Sequence, residues 1–294
     1  MPTNFKTHIK KQVKKLPVFL FLLPSLSGFI LFFLAPFVAG LDYALTDSSM
    51  SGRFVGLKNV TGLLKNEALL VSVKNTFLFM LPSVLLCTTL PLITAILFNR
   101  LVFAKKALRL LILSPMAVPS ATVALFWQIF FDFRGPFNHM LENFGYKPLQ
   151  WLNGEWGLIV VVAVYLWKNF GYDMIIYTIG LNNIPAEQYE AAAIDGAGCF
   201  REFFAVTLPG LVPTGFFIFT ISIVNCFKVF REIYLIFGKY PNENVYMLQN
   251  FINNMFLQLN YPKLTSAAYL TALFITLVLF GIYMLQRKAS ENYY

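Results

Sequence analysis

Charged residues are missing from five long stretches of this chain. Leu16–Leu41, Asn75–Asn99, Leu110–Phe131, Phe203–Phe227 and Leu264–Gln286 carry none, and each runs for 22 residues or more. A helix rises about 1.5 Å per residue, so roughly 20 residues cross the apolar core of a bilayer. A sixth stretch, Trp156 to Leu181, is interrupted only by Lys168 and Asp173. The pattern predicts an all-α integral membrane protein with six transmembrane helices, over about 16–41, 75–99, 110–131, 156–181, 211–237 and 264–286. The longest polar interval, around 43–71, is about 30 residues, too short for a soluble domain of its own. Residues 16–286 are expected to form one transmembrane domain between two short tails, 1–15 and 287–294.

Composition agrees with this pattern. The chain is 57% hydrophobic and 13% charged, against the charged fraction of about 25% usual in soluble domains. A cleaved leader is disfavoured, because the first uncharged run of 26 residues exceeds the apolar region of about 7–15 residues found in such peptides. The net charge of +9 does not point to nucleic acid, since the cations sit at helix ends. With the N-terminus in the cytoplasm, the inner segments hold twelve Lys and Arg and the outer loops seven. The positive-inside rule then predicts that both termini are cytoplasmic.

Catalytic and metal chemistry have few candidates. Cys87, Cys199 and Cys226 are scattered, and His8 and His139 stand far apart with no partner at ligand spacing, so neither a disulfide framework nor a metal centre is expected. No G-x-x-x-x-G-K-[ST] phosphate loop is present, so nucleotide energy would have to reach the chain from a partner, or an ion gradient would replace it. A cell-membrane transport role without enzyme activity or a bound cofactor is the expectation.

The segment 182–210 interrupts the apolar pattern with AEQYEAAAIDGAGCFREFFAVTLPG. The charge asymmetry puts it in the cytoplasm. Ile184-Pro185 should close helix four and open a short helix, with Glu187 and Glu190 near the positive end of its dipole. Tyr189, Ala192, Ala193 and Gly196 recur at three- and four-residue spacing and so share a small-sided face. Gly196 permits a turn, and a second short helix over about 199–206 should return to the membrane at Leu208-Pro209.

Glu190-Ala191-Ala192, Gly196 and Val206-x-Leu208-Pro209 resemble the EAA signature of permease subunits in binding-protein-dependent ABC importers, with Val206 where that pattern favours Ile. Arg109, Leu113, Pro115, Pro119, Trp127, Gly135 and Asn138, then Trp167, Gly171, Leu181, Ile184, Pro185 and Tyr189, resemble the carbohydrate permeases of the maltose-type superfamily. Gly238-Lys239-Tyr240-Pro241 departs from the Gly-Gly-Pro turn of many relatives. The resemblance implies a half-channel in a prokaryotic cell membrane that pairs with a second, homologous permease. Two cytoplasmic ATPases, which bind ATP and Mg²⁺, would each receive a coupling helix, and an extracytoplasmic binding protein would deliver a sugar or oligosaccharide. The coupling residues it implies are Tyr189, Glu190, Ala191, Ala192, Asp195, Gly196, Leu208 and Pro209.

Polar groups within membrane helices usually face a cavity or a partner. Lys168 and Asn225 fall at similar depth, and Lys228 and Arg231 follow close behind, so these four are the candidates for the solute path. Lys228 and Glu232, four residues apart, are spaced for an ion pair on one helix. Pro24, Pro36, Pro82, Pro91, Pro115, Pro119 and Pro213 lie in or near the expected helices as candidate kinks. Two alternatives stay open: an ABC permease for a solute other than a sugar, and an ion-coupled secondary transporter, for which Asp173 would be the deep acid.

Overall fold

The structure, a computed structural model, describes residues 16–47, 52–99 and 105–291. The basic segment 1–15 and Arg100, which contribute to the charge asymmetry, lie outside the described residues. Among the described residues five helices are long and apolar enough to cross a membrane, and a bent helix pair, Ala107–Ala117 with Ser120–Phe130, makes a sixth where the two count as one span. Among the described residues there is no sheet, only an isolated bridge between Thr46 and Phe54. The chain divides into two compact units, one built from the segment up to Leu63 with Met255–Leu270, the other from Leu64–Asn254 and the segment from Thr271 on.

The first unit contains α1 (Leu16–Phe29), a π-helical turn (Ile30–Leu34), α2 (Ala35–Leu45) and the short α3 (Lys58–Leu63). Large apolar side chains along α1 and α2, from Phe21 to Leu41, are exposed, as suits a surface turned to lipid or to another membrane helix. At the end of α2 the Asn59 amide donates to the carbonyls of Ala44 and Thr46 at 2.9 and 2.7 Å. Phe37 and Tyr269 meet edge to face with ring centroids 4.9 Å apart.

The second unit is a bundle around α4 (Glu67–Asn99) and α8 (Gly157–Asn182). Where α4, α8 and α11 (Leu208–Cys226) converge, Ala95, Phe98, Met174, Tyr177, Leu181, Leu211 and Ile218 form one apolar core. A second core joins α6 (Ser120–Phe130), α8 and α12 (Phe230–Phe237) through Val123, Ala124, Val160, Val164, Ile236 and Trp151. The remaining elements are α5 (Lys105–Ala117), α7 (Pro136–Asn143), α9 (Ala186–Ile194), α10 (Cys199–Glu202), α13 (Leu248–Leu257), of which the part up to Asn254 belongs to this unit, and α14 (Tyr261–Glu291), of which the part from Thr271 does.

Two expected single helices are broken. The run 110–131 divides into α5 and α6, bent by 95°. Pro119 takes an extended ψ of 137°, and a residue before proline avoids helical geometry, so Val118-Pro119 makes the corner. The run 211–237 divides into α11 and α12 around Phe227–Val229, and no proline or glycine marks this break. Conversely, the boundary expected at Leu208-Pro209 is absent. α10, a π-helical turn (Phe203–Thr207) and α11 form one continuous span, Cys199–Cys226. Both π turns end two residues before a proline, Pro36 and Pro209. A proline lacks its N–H and crowds the carbonyl four residues back, and a widened turn at that point lets the helix run on.

Helix α7 packs beside the loop to Trp151 through one side chain. Asn138, 1% exposed, donates to the carbonyls of Phe133 and Leu149 and accepts from Leu149 N–H and Trp151 Nε1–H, at 2.9 to 3.0 Å. Each buried group stripped of its partner costs about 1–3 kcal/mol. Asn138→Leu is therefore expected to lower the thermal unfolding midpoint of the detergent-solubilised protein and to shift Trp fluorescence. An unchanged midpoint would mean that this strut is dispensable.

Candidate functional site

The polar loop between α8 and α11 is a small, solvent-facing hook. Pro185 at ψ 133° sets the start of α9, and Glu187 lies in its first turn. The helix ends at Gly196, which takes φ +71°. Gly196 N–H donates to Ala193 O at 3.1 Å and Ala197 N–H to Ala192 O at 2.9 Å, the pattern of a Schellman cap. A Cβ at this glycine would meet nothing within 4 Å, so its requirement is conformational.

The face inferred from spacing is outward only in part. Tyr189 and Ala192 are half-buried, and the Tyr189 hydroxyl lies 3.2 Å from Thr207 Oγ1 in the π turn. Tyr189 thus ties α9 back to the foot of α11. Glu190, Ala191, Ala193, Asp195 and Gly196 are exposed. With them stand Ile194 and Phe200, 86% and 83% exposed, which sequence reasoning overlooked. Large apolar residues on both sides of a glycine turn, in an otherwise polar loop, were the available signal. Leu208 and Pro209 lie inside the continuous α10–α11 rod, Leu208 exposed and Pro209 half-buried.

At the far end of that rod the α11–α12 break borders a cavity of about 190 Å³. It is lined by Tyr165, Lys168 and Asn169 of α8, by Asn225, Lys228 and Val229 at the break, and by Glu232 of α12. Lys168 Nζ donates to Ser120 Oγ at 2.9 Å and to Glu232 Oε1. Ser120, the first residue of α6, stands just past the other broken helix, so both corners meet at one ion pair. The Lys228–Glu232 pair suggested by local spacing does not form, because Glu232 turns to Lys168 on a different helix. Gln128 of α6 ties the two broken helices further, donating to the carbonyls of Leu235 and Ile236 at 3.1 and 2.9 Å.

Three of the four candidate path residues, Lys168, Asn225 and Lys228, therefore line a single cavity, while Arg231 points outside it, exposed. Of the neighbouring aromatics only Tyr165 lines the cavity. Its hydroxyl donates to Ser222 O at 3.1 Å, and Phe227 is buried.

Residues 87–291 match the family model described as the binding-protein-dependent transport system inner membrane component. The chain is 31% identical over 239 residues to the arabinooligosaccharides transport system permease protein AraP of Bacillus subtilis (strain 168), covering 79% of this chain and 75% of that one. It is 31% identical over 236 residues to the sn-glycerol-3-phosphate transport system permease protein UgpA of Agrobacterium fabrum, covering 77% and 79%. Its fold is similar to a crystal structure of a bacterial ABC transporter involved in the import of the acidic polysaccharide alginate. The TM-score is 0.86 at 24% identity, over 96% of this chain and 99% of that chain. Transport through the inner membrane, without catalysis by the subunit itself, is the work of such components. The chain belongs to the multi-pass inner-membrane permease subunits of binding-protein-dependent ABC transport systems.

Proposed function

We propose that the chain forms one half of the translocation pathway of a saccharide importer and is driven through the α9–α10 hook by a separate ATPase. The observation that carries this reading is the unbroken helix Cys199–Cys226. Its 28 residues span roughly 42 Å at 1.5 Å per residue, from the exposed hook to the polar cavity. A displacement at one end of a rigid helix reaches the other without needing a relay of loops.

In this reading Glu190, Ala191, Asp195, Ile194 and Phe200 present the hook to the ATPase, and Gly196 and Tyr189 hold its shape. Leu208 and Pro209 belong to the rod, and both chain termini lie in the cytoplasm with the hook. Two ATPase copies, a second permease and an extracytoplasmic solute-binding protein complete the assembly. Lys168, Asn225 and Lys228 supply donors for a sugar at the cavity, and Tyr165 forms part of its wall. The AraP likeness supports oligosaccharides, and the UgpA and alginate likenesses support polar solutes that carry a charge.

The test is reconstitution of the co-purified complex, followed by ATP hydrolysis and uptake across a panel of oligosaccharides delivered by the binding protein. Stimulation by saccharides that depends on binding protein is expected. Uptake by this chain alone, without an ATPase, would overturn the reading.

A further inference from the structure

We infer that the cavity between α8 and the α11–α12 break selects solutes bearing an anionic group, a uronic-acid or phosphorylated saccharide, and that Lys228 is the residue that receives the anion. This rests on the reading of the cavity as part of the solute path.

The charge of the cavity wall is lopsided. Two ammonium groups, Lys168 and Lys228, line it beside a single carboxylate, Glu232. Glu232 is spoken for by Lys168, with Ser120 Oγ as a third member of the cluster. Among the described residues no carboxylate pairs with Lys228. Lys228 is itself exposed beside the cavity, so its ammonium is open to an incoming anion. The remaining polar lining, the Asn169 and Asn225 amides and the Tyr165 phenol, is neutral; Asn169 and Tyr165 already donate to the Tyr165 and Ser222 carbonyls, which leaves the Asn225 amide to meet hydroxyl groups. One net positive charge with neutral donors around it matches a sugar ring that carries one anionic substituent.

The Lys168–Glu232 pair adds a selective element. It is partly open, with side chains 24% and 13% exposed, so a solute anion reaching Lys168 competes with Glu232, whereas a neutral sugar leaves the pair closed. Size sets the scale. A volume of about 190 Å³ holds about six waters at roughly 30 Å³ each, on the order of one pyranose ring, and falls below the roughly 300–1,000 Å³ of sites that enclose a whole ligand. The rest of an oligosaccharide would extend from this cavity into the space between the two permeases.

The experiment measures direct binding of radiolabelled probes to the full complex in nanodiscs. The probes are digalacturonate, cellobiuronate and glucose 6-phosphate, each beside its neutral methyl ester or dephosphorylated counterpart. The wild type is expected to prefer charged members by about 10- to 100-fold, the range of a charge-assisted hydrogen bond. Lys228→Gln should collapse that preference, and Glu232→Gln should increase it by releasing Lys168. A purely structural role would not move the ratio in opposite directions.

Asn225→Ala separates the two layers of inference. If it weakens charged and neutral probes alike while Lys228→Gln leaves their ratio intact, the solute path stands and anion selection falls. If neither variant changes the binding of any probe, the solute-path reading itself fails. Loss of the second permease on co-purification of Lys228→Gln would assign the lysine to a partner carboxylate and overturn the inference. Equal binding of the paired probes by the wild type, or binding of none, overturns it as well.

Discussion

Gly196→Val is expected to leave the permease inserted and assembled but to abolish binding-protein-stimulated ATP hydrolysis and solute uptake. Gly196 occupies φ +71°, a conformation that costs an L-residue roughly 1–2 kcal/mol and a β-branched one more. Nothing lies within 4 Å of a Cβ there, so the substitution removes a conformation and creates no clash in the bundle. Relief of the strain would unwind the cap, freeing the Ala192 and Ala193 carbonyls and re-aiming Ile194 and Phe200 on either side of the turn. A cost confined to an exposed hook does not threaten the helices, and so insertion should survive. Gly196→Asn, which tolerates the left-handed region, should retain much of the activity. Stimulated hydrolysis and uptake in proteoliposomes, with recovery of the second permease as the assembly control, give the answer. Wild-type values for Gly196→Val would remove the hook from the coupling path.

Gly171→Ala is expected to have the largest effect on stability of any single methyl group added to the bundle. A Cβ at Gly171 would stand 2.1 Å from the Ile112 carbonyl oxygen and 2.8 Å from its carbon. Both atoms belong to the backbone of α5, so no rotamer change relieves the overlap and one helix must move. Small residues at such crossings let membrane helices approach closely, and overpacking a tight site costs about 1–3 kcal/mol even where side chains can adjust. The solubilised complex should unfold several degrees lower, and the shift of α5 should reach Ser120 and loosen the Lys168–Glu232 pair. Gly180→Ala is the comparison, since its Cβ would meet the Thr214 and Leu211 side chains, which can rotate away. Equal midpoints for Gly171→Ala and the wild type would mean that α5 and α8 slide freely.

The membrane class was legible because it depends on a local quantity, the length of an uncharged run. Breaks within the spans were less so. Pro119 makes a corner, yet helices continue through Pro24, Pro82, Pro91, Pro115 and Pro213, so a proline letter alone does not distinguish a kink from a break. The turn at Phe227–Val229 carries no such letter at all. The pairing of Lys168 with Glu232 joins residues 64 apart in sequence, and the nearer Lys228 offered a tempting local partner. Long-range pairing depends on how α8 and α12 pack, which hydropathy does not encode. In the hook, periodicity grouped Tyr189 with the alanines but did not reveal that Thr207 holds the tyrosine inward.

The five-residue π turn at Phe203–Thr207 fixes the rotational phase between hook and rod. A π-helical bond spans one residue more than an α-helical one, and each residue of a helix turns the chain by about 100°. The widened turn therefore takes up one extra position above Pro209 while the helices on either side keep their bearing. Lengthening the rod by whole turns would preserve that bearing. A deletion of one residue in the regular helix beyond the turn would swing the hook through more than a quarter of a circle while moving it along the axis by only about 1.5 Å.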